Sequence, residues 1–294
     1  MSEFAGKTAV VSGGAEGIGL SIARALGQQG MNLVLGDIDR QQLANAKAQL
    51  QQDGIPVVVV TMDVTDPGGW QQLADKAIQG FGKIHMLINN AGVASASGPI
   101  ENTDRTDWRW VIDVNLLGVI NGTEAIVPLI KQHGEGGWLI NVASMAGMSG
   151  VPYAGPYTAT KVAVVGMSEA WYGELAKHNI RVSVLCPAFV QTRIHLSGRN
   201  RQDRYQGDPA ESTGGESTPG ENRAQHLVEN GIPVELVGLR VVEALQANEL
   251  YIFTHPSHRA AMQRRFQAID DAFARAAASP LLADIVDEEI VSFE

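Results

Sequence analysis

The chain alternates between short runs of apolar residues and longer segments in which apolar positions recur every three or four residues. The short runs are rich in Val, Ile and Leu without polar alternation, so they predict strands that are buried on both faces. Seven such runs occur, at 8–12, 32–37, 56–63, 84–90, 137–144, 180–186 and 250–254. The segments between them predict helices, for example over 17–29, 41–52 and 68–78. The sequence therefore predicts an α/β fold: a doubly wound (Rossmann) parallel sheet of about seven strands with helices on both faces.

Two segments depart from this alternation. Residues 198–223 contain almost no large aliphatic side chains and many Gly, Pro, Ser and Glu residues, so we expect a mobile loop there. The tail predicts a helix with one apolar face, formed by Met262, Phe266, Ile269 and Phe273. We expect that face to pack in a core, with a contact between subunits as the alternative. The predicted organisation is one catalytic domain over 1–256 and a C-terminal helical extension over 257–294.

Composition narrows the class of protein. With 45% apolar and 18% charged residues, the 294-residue chain can form a sizeable core. No run of 18 or more apolar residues occurs and MSEFAGKTAV lacks the apolar stretch of a signal peptide, so we expect a cytoplasmic protein without a membrane span. Cys186 is the only cysteine and no Cys/His spacing matches a zinc site, so no metal is expected. The net charge of −10 argues against nucleic acid as a partner.

A glycine-rich string, SGGAEGIG, directly follows the first predicted strand. Gly13, Gly17 and Gly19 stand where the chain turns into a helix. Glycine allows the tight turn and lets the backbone approach a diphosphate, whose charge is stabilised by the helix N-terminus. By itself the string is also compatible with an ordinary turn between a strand and a helix. Its position after the first strand favours a dinucleotide site.

The second predicted strand ends at Asp37, 18 residues after Gly19. A carboxylate at that point can accept hydrogen bonds from the adenosine ribose and would repel the 2′-phosphate of NADP. Glu16 adds a second negative charge nearby, and Arg40 offers the only neighbouring cation along the sequence. These charges predict NAD as the cofactor. The alternative is that Asp37 is a helix N-cap beside Asp39.

The ends of the third and fourth strands add candidates for the same site. Asp63 ends the third run, with Val64 after it, and can face the edge of the adenine. The fourth run ends in NNAG, which contributes Asn89, Ala91 and Gly92. This is where the strand order of a doubly wound sheet reverses and where ligands bind. NNAG alone is equally compatible with a turn.

The string YTATK places Lys161 four residues after Tyr157, and Ser144 ends the fifth strand 13 residues before that tyrosine. On a helix, positions four apart share a face, so the ammonium can favour the phenolate. Tyr157 could then take the proton of an alcohol, while Ser144 donates a hydrogen bond to the reacting oxygen. An isolated Tyr-x3-Lys pair would usually be a solvated helix face. Tyr153 lacks a lysine at this spacing, so we expect it to line the substrate pocket.

These strings together resemble the short-chain dehydrogenase/reductase family over about residues 5–256. Ser12 stands in the place of the threonine in the family's glycine loop, and NNAG, Ser144 and YTATK match its other motifs. The resemblance implies a compact NAD-dependent enzyme that interconverts a secondary alcohol and a ketone. It also implies a fourth catalytic residue, Asn115 in DVNLLG, which would support a water between the lysine and bulk solvent. The sequence alone makes Asn115 a polar residue inside a helix.

The segment after the sixth strand resembles the family's Pro-Gly-x-Val-x-Thr motif. Pro187, Val190 and Thr192 match, and the resemblance implies that they contact the nicotinamide and the phosphates. Ala188 replaces the glycine, which questions a left-handed backbone at this position. The resemblance further implies a substrate lid over about 193–230 and a homotetramer or homodimer with the Tyr157 helix in its interface. The tail resembles those of members that act on bulky aryl or cyclic alcohols.

The predicted site has three groups of residues, and two alternatives to it stay open. The predicted catalytic residues are Asn115, Ser144, Tyr157 and Lys161. The predicted cofactor contacts are Gly13, Gly17, Ile18, Gly19, Asp37, Asp63, Val64, Asn89, Ala91, Gly92, Tyr157, Lys161, Pro187, Val190 and Thr192. The predicted substrate contacts are Ser144, Tyr153 and Tyr157. The alternatives are a catalytically silent NAD-binding scaffold or sensor, and a sugar-nucleotide epimerase, which would normally have a larger C-terminal domain.

Overall fold

The computed structural model describes residues 2–94, 98–206 and 225–286. Seven parallel strands form one sheet in the order β3-β2-β1-β4-β5-β6-β7. The strands are β1 (Thr8–Ser12), β2 (Asn32–Asp37), β3 (Val57–Thr61), β4 (Met86–Asn89), β5 (Gly137–Val142), β6 (Ile180–Cys186) and β7 (Tyr251–Phe253). Each of them lies within one of the seven predicted runs, so the predicted fold class is confirmed.

Helices connect the strands and cover both faces of the sheet. They are α1 (Gly17–Gln28), α2 (Arg40–Gln52), α3 (Pro67–Phe81), α4 (Arg105–Ile112), α5 (Gly118–His133), α6 (Met145–Met148), α7 (Gly155–Ala176), α8 (Val234–Gln246) and α9 (Arg259–Ala277). Successive side chains of β1 alternate between the two faces: Val11 belongs to the core with Ile22 of α1, and Val10 to the core with Trp70 of α3. This alternation explains why the strands read as continuous apolar runs.

The sheet reverses its strand order next to β1. This strand pairs with β2 on one side and with β4 on the other, so the connections on the two sides run in opposite directions. In open α/β sheets the crevice for a ligand lies at the carboxyl ends of the strands at such a switch point. The glycine-rich string and NNAG follow β1 and β4, so the fold brings them to this crevice.

The chain divides into two compact units, Met1–Thr254 and His255–Glu294. The second unit contains α9 and a 3-10 helix, Pro280–Ile285. No residue of α9 is buried, and Phe266, Ile269 and Phe273 are 52%, 41% and 73% exposed. Within this unit, the apolar face of α9 therefore does not pack in a core.

The structure bears on two other expectations, the mobile loop and the absence of a membrane span. The expected mobile loop at 198–223 is described up to residue 206, and the rest of it lies outside the described residues. The described part holds two short 3-10 helices, Ile194–Asn200 and Asp203–Tyr205. One continuous helical stretch, Arg105–His133, is long and apolar enough to cross a membrane by length and composition alone. Half of its most apolar window is buried inside the described part of the protein.

Candidate active site

The glycine-rich string forms a turn that only glycine can make. Gly13 and Gly17 have φ angles of +61° and +56°, in the left-handed region that side chains rarely adopt. At Gly19, a Cβ atom would lie 2.2 Å from the carbonyl oxygen of Gly13. The turn therefore leaves bare backbone at the N-terminus of α1, as the binding of a diphosphate requires. The neighbouring Ile18 packs against the core.

Ser12 and Asn90 hold this turn against the end of β4. The Ser12 hydroxyl accepts hydrogen bonds from the backbone N–H groups of Asn90 at 3.0 Å and Ala91 at 3.2 Å. The Asn90 amide donates to the carbonyl oxygens of Ser12 at 3.0 Å and Gly13 at 2.8 Å. Asn90 was absent from the residues that the sequence singled out. The two asparagines of NNAG carry no local signal that tells which one faces the glycine turn.

Asn89, in contrast, is buried away from the crevice. Its side-chain amide donates to Thr123 Oγ1 at 3.1 Å and to Asn141 Oδ1 at 2.9 Å, and the residue is 2% exposed. Asn141 in turn donates to Ser168 Oγ at 3.0 Å. The Asn89 side chain thus joins β4, β5, α5 and α7 inside the domain, whereas the other members of NNAG line the crevice.

Asp37 ends β2 beside the glycine turn. Its carboxylate accepts hydrogen bonds from the backbone N–H groups of Ala15 at 3.1 Å and Asp39 at 3.0 Å. Burial raises the pKa of Asp37 above its usual value, and these two hydrogen bonds oppose the shift. The N-cap of α2 is Asp39, which accepts from Gln41 and Gln42. Asp37 is therefore not the cap of that helix, and its carboxylate lies against the glycine turn.

Glu16 forms ion pairs with two arginines. Neither of them is Arg40, the cation that follows Asp37 along the sequence. The Glu16 carboxylate accepts hydrogen bonds from Arg193, at 2.7 Å from Nε, and from Arg199. Both arginines lie far along the chain, at the start of the predicted lid. The negative charge of Glu16 is thus compensated, which leaves Asp37 as the carboxylate on which the predicted preference for NAD depends.

Asp63 follows β3 and accepts four hydrogen bonds. Its Oδ1 atom accepts from the backbone N–H of Thr65 at 2.9 Å and from the Thr65 hydroxyl at 2.7 Å. Its Oδ2 atom accepts from Gln202 Nε2 and Arg204 Nη2, both at 2.9 Å. The next residue, Val64, is 8% exposed and packs in the core. The carboxylate expected to face the adenine is thus held by the lid segment.

We name residues 193–206 the strap, because they run across the carboxyl end of the sheet. Besides Glu16 and Asp63, the strap contacts two acidic residues of the helical segment 105–117. Arg201 pairs with Asp107 of α4, and the Tyr205 hydroxyl donates to Asp113 at 2.8 Å. The Ser197 hydroxyl accepts from the backbone N–H of Ala94 at 3.1 Å. The strap is therefore held by residues that follow β1, β3 and β4.

Tyr157 lies in the first turns of α7 and faces Ser144, the N-cap of α6. The Ser144 hydroxyl accepts from the backbone N–H of Ala146 at 3.1 Å, which fixes its position at the end of β5. Burial raises the pKa of Tyr157 above its ordinary value of 10.0, and a hydrogen bond with the Ser144 side chain opposes this shift. The structure thus brings together the phenol and the hydroxyl that the sequence paired.

Lys161 lies one turn further along α7, buried to 3% exposure. Its ammonium nitrogen is 5.6 Å from the centroid of the Tyr157 ring and donates a hydrogen bond to the carbonyl oxygen of Val142 at 2.8 Å. Burial lowers its pKa from 10.5 to about 8. A lysine that is still mostly charged at neutral pH therefore lies beside the phenol.

Asn115 is fully buried in a five-residue π-helical turn, Asp113–Leu117, between α4 and α5. Its side chain accepts from the N–H of Val93 at 2.8 Å and donates to the carbonyl of Val93 at 2.9 Å. A Cβ atom placed on Gly92 would lie 3.3 Å from Asn115 Oδ1 and 3.6 Å from Lys161 Nζ. The structure thus brings Asn115, Gly92 and Lys161 together. A π turn inside a helix often marks a functional site, and the sequence carries no signal for it.

The segment after β6 closes the site on the side of Ser144. The carbonyl oxygen of Pro187 accepts from the backbone N–H of Met145 at 2.9 Å, and Val190 is 3% exposed in the core. A Cβ atom on Gly17 would lie 3.3 Å from Thr192 Cγ2, so this threonine meets the glycine turn. Ala188 is not among the described residues with positive φ, so the replaced glycine needs no left-handed backbone here.

Tyr153 lies just before α7 and is 67% exposed. Its φ angle of +65° is strained for a tyrosine, and its carbonyl oxygen accepts from the N–H of Gly98 at 3.0 Å. A Cβ atom on Gly155 would lie 3.4 Å from the Trp108 ring and 3.8 Å from Ile100 Cδ1. Trp108 and Ile100 therefore lie next to the start of the Tyr157 helix. Neither residue is predicted from the sequence, because nothing local relates them to that helix.

Similarity to known proteins agrees with this geometry. The model of the short chain dehydrogenase family matches residues 7–203. A short chain dehydrogenase/reductase from Burkholderia phymatum, solved in complex with NAD, superposes with a TM-score of 0.87 at 35% identity and covers 92% of this chain and 96% of its own. A C alpha-dehydrogenase from Sphingobium sp. is 32% identical over 282 residues, 95% of this chain and 90% of that protein. A 3-alpha-(or 20-beta)-hydroxysteroid dehydrogenase from Mycobacterium tuberculosis is 40% identical over 187 residues, 64% of this chain and 70% of that protein.

Proposed function

This chain belongs to the short-chain dehydrogenase/reductase family and is therefore an oxidoreductase that acts on CH–OH groups. We propose that it uses NAD as its cofactor and Tyr157 as its acid–base residue to interconvert a bulky secondary alcohol and the corresponding ketone. The observation that carries the proposal is the arrangement of Tyr157, Lys161 and Ser144. The phenol lies between a buried cation and a hydroxyl that is fixed at a strand end. Such an arrangement is suited to moving a proton to and from a reacting oxygen.

The protein residues take the following parts in the oxidation of an alcohol. A nicotinamide cofactor held by the glycine turn and Asp37 would supply the hydride acceptor for the carbinol carbon. The phenolate form of Tyr157 accepts the hydroxyl proton of the substrate. In the reverse direction, the phenol donates this proton to the ketone oxygen. Ser144 donates a hydrogen bond to the substrate oxygen as its charge changes. Asn115 positions the loop after β4 through its two hydrogen bonds with Val93.

Lys161 lowers the free energy of the phenolate form of Tyr157. Lowering the pKa of a tyrosine from about 10 to about 7 needs roughly 4 kcal/mol at about 1.4 kcal/mol per unit. A unit charge at the 5.6 Å that separates Lys161 Nζ from the ring centroid contributes on the order of 3 kcal/mol at an effective dielectric constant of about 20. This attraction favours the phenolate and so acts against burial, which raises the pKa of Tyr157.

The proposed substrate class rests on the wall of the pocket and on the relatives. Trp108, Ile100 and Tyr153 supply aromatic and aliphatic surface next to the first turn of α7. Such surface favours an alcohol with an aryl or cyclic body over a small polar one. The name of the hydroxysteroid dehydrogenase relative states a substrate of this kind.

The test of the catalytic assignment compares Tyr157→Phe with Tyr153→Phe. We expect Tyr157→Phe to lower kcat with NAD by on the order of 10²–10⁴-fold, because the phenol performs the acid–base step. NADH affinity, measured by fluorescence titration, should stay within about threefold in both variants. A panel of aryl and cyclic secondary alcohols supplies the substrates. Near-normal turnover in Tyr157→Phe would overturn the assignment, and NADH binding without turnover of any alcohol or ketone by the unmodified protein would favour a silent scaffold.

The choice of NAD is tested at Asp37. Asp37→Ala should weaken NADH binding and raise the relative affinity for NADPH, because the carboxylate that repels a 2′-phosphate is gone. Asp39→Ala is the matched control, since it removes a nearby carboxylate whose contacts are with the N-terminus of α2. An unchanged ratio of the two dissociation constants in Asp37→Ala would show that Asp37 only holds the glycine turn through Ala15.

We propose further that the enzyme works in the cytoplasm as a homodimer or homotetramer. The family membership supports both the location and the oligomer. The oligomer is also supported by exposed apolar side chains of α7, where Val162 and Tyr172 are 48% and 42% exposed. Exposed apolar surface on a helix is typical of contacts between subunits.

A further inference from the structure

One face of α7 carries Tyr157, Lys161 and Ser168. These residues are 4 and 11 positions apart, and at about 3.6 residues per turn such spacings return to the same side of a helix. Lys161 Nζ donates a hydrogen bond to the carbonyl oxygen of Val142 at 2.8 Å, and Ser168 Oγ accepts one from Asn141 Nδ2 at 3.0 Å. Asn141 and Val142 are consecutive residues of β5. The helix is therefore bound to this strand at two points, once at Lys161 and once about two turns further along.

The contact between Asn141 and Ser168 lies in the core, where both residues are fully buried. The Ser168 hydroxyl donates its proton to the carbonyl oxygen of Val164 at 2.7 Å, so toward Asn141 it acts as the acceptor. The oxygen of the Asn141 amide accepts from Asn89 Nδ2 at 2.9 Å. A buried amide that loses such a partner costs free energy, whereas the contacts of apolar neighbours such as Val165 have no direction. The hydrogen bond therefore fixes the position of α7 on β5 in a way that the surrounding apolar contacts do not.

Both ends of this contact lead to the reacting groups. Asn141 lies three residues before Ser144 along the chain, and Ser168 lies on the same helix as Tyr157 and Lys161. Misplacing a catalytic group by about 1 Å can cost on the order of 10²-fold in rate. We infer that the hydrogen bond between Asn141 and Ser168 sets the height and rotation of α7 against β5, and thereby aligns Tyr157 and Lys161 with Ser144. The inference rests on the proposed acid–base role of Tyr157, for which Asn141 and Ser168 are positioning residues.

Removal of one buried hydroxyl tests this assignment. Ser168→Ala takes away the acceptor of the Asn141 amide and leaves the groups of the proposed site in place. Ser168→Thr keeps the hydroxyl, because a threonine in a helix can direct Oγ1 to the carbonyl four residues earlier, as Ser168 does. The matched control is Thr123→Val, which removes a hydroxyl from the other end of the same network. There Thr123 accepts from Asn89 and donates to the carbonyl oxygen of Val119, both away from α7.

The measurements on each full-length protein are kcat, KM for the alcohol that it turns over, the pH dependence of kcat, and the midpoint of urea unfolding. We expect Ser168→Ala to lower kcat about tenfold, with KM within about twofold. The apparent pKa in its kcat profile should rise by about 0.5, because the Lys161 ammonium no longer keeps its distance from the phenol. Ser168→Thr should restore both values. Thr123→Val should lower the unfolding midpoint as Ser168→Ala does, and leave kcat and its pH dependence unchanged.

The comparison separates positioning from stability, because both hydroxyls belong to one buried network and only Ser168 is on α7. Equal kcat values and pH profiles in Ser168→Ala and Thr123→Val overturn the inference, as does a Ser168→Thr enzyme that is as slow as Ser168→Ala. Tyr157→Phe in the same assay distinguishes this failure from that of the proposed function. If Tyr157→Phe loses turnover while Ser168→Ala keeps it, the positioning role alone fails; if Tyr157→Phe stays near normal, the acid–base role itself fails.

Discussion

At the scale of one residue, burial of the Lys161 ammonium in the site lowers the free energy of unfolding. A lysine that is 3% exposed with a pKa of about 8 is held in an environment that disfavours its charge. The shift from 10.5 corresponds to about 3 kcal/mol at about 1.4 kcal/mol per unit. The hydrogen bond to Val142 recovers about 1 kcal/mol of this. The residue is therefore expected to lower stability while it supports the reaction.

We predict that Lys161→Met abolishes turnover and raises the free energy of unfolding at pH 7 by about 2 kcal/mol, the charge penalty less the lost hydrogen bond. The gain in the free energy of unfolding should be largest below pH 8 and should decrease as the pH rises. Below pH 8 the lysine is charged in both states and the penalty is complete; between 8 and 10.5 the folded chain has lost the proton that the unfolded chain keeps, so the penalty shrinks as pH rises.

Denaturant unfolding of Lys161→Met at pH 7 and at pH 10 measures this difference. Lys177→Met, at the exposed end of α7, should change stability little at either pH. A Lys161→Met variant that is less stable than the unmodified protein at pH 7 would contradict the prediction, because it would show that the buried ammonium contributes more through its contacts than burial costs.

At the scale of elements, the sequence predicted the strands well and the strap poorly. The runs at 8–12, 32–37 and 180–186 have the same bounds as β1, β2 and β6, because a strand buried on both faces requires a continuous apolar run. Asp37 and Tyr157 were identified because strand ends and helix spacing determine their neighbours locally. The contacts of Asp63 with Gln202 and Arg204 join residues that are 139 and 141 positions apart, and no local pattern encodes such a pairing.

The strap gives a prediction about cofactor exchange. The pairs of Glu16 with Arg193 and Arg199 join it to the glycine turn, and their side chains are 29% to 44% exposed. Dissolved salt screens charges at such a surface, since the Debye length falls from about 10 Å at 0.1 M to about 3 Å at 1 M. We expect Glu16→Gln to release NADH several-fold faster at low salt, and this rate to depend less on salt than in the unmodified protein.

Stopped-flow displacement of NADH at 50 mM and 1 M salt provides the measurement. The control, Asp53→Asn, breaks the surface pair of Arg24 and Asp53, which joins α1 to the end of α2 without touching the strap. It should leave the release rate and its dependence on salt unchanged. If Glu16→Gln behaves like this control, the arginines of the strap do not retain the cofactor.

At the scale of the whole molecule, large apolar side chains are exposed in both units. In the second unit, Phe266, Ile269 and Phe273 of α9 recur at spacings of three and four residues and therefore share one face of the helix. After it, Leu281 is 93% exposed. Since this face has no core to enter among the described residues of its unit, the subunit contact that the sequence offered as an alternative becomes the proposal.

We predict that Phe266→Ser/Phe273→Ser lowers the mass of the oligomer at micromolar concentration, because two large apolar side chains leave the contact. Sedimentation velocity measures the mass, and Gln263→Ser/Gln267→Ser, which changes polar positions of the same helix, is the control. Far-ultraviolet circular dichroism shows whether α9 stays helical in both. An oligomer of unchanged mass and unchanged dissociation constant in the phenylalanine variant would mean that the assembly does not use this face, and would leave the exposed side chains of α7 as the surface through which subunits meet.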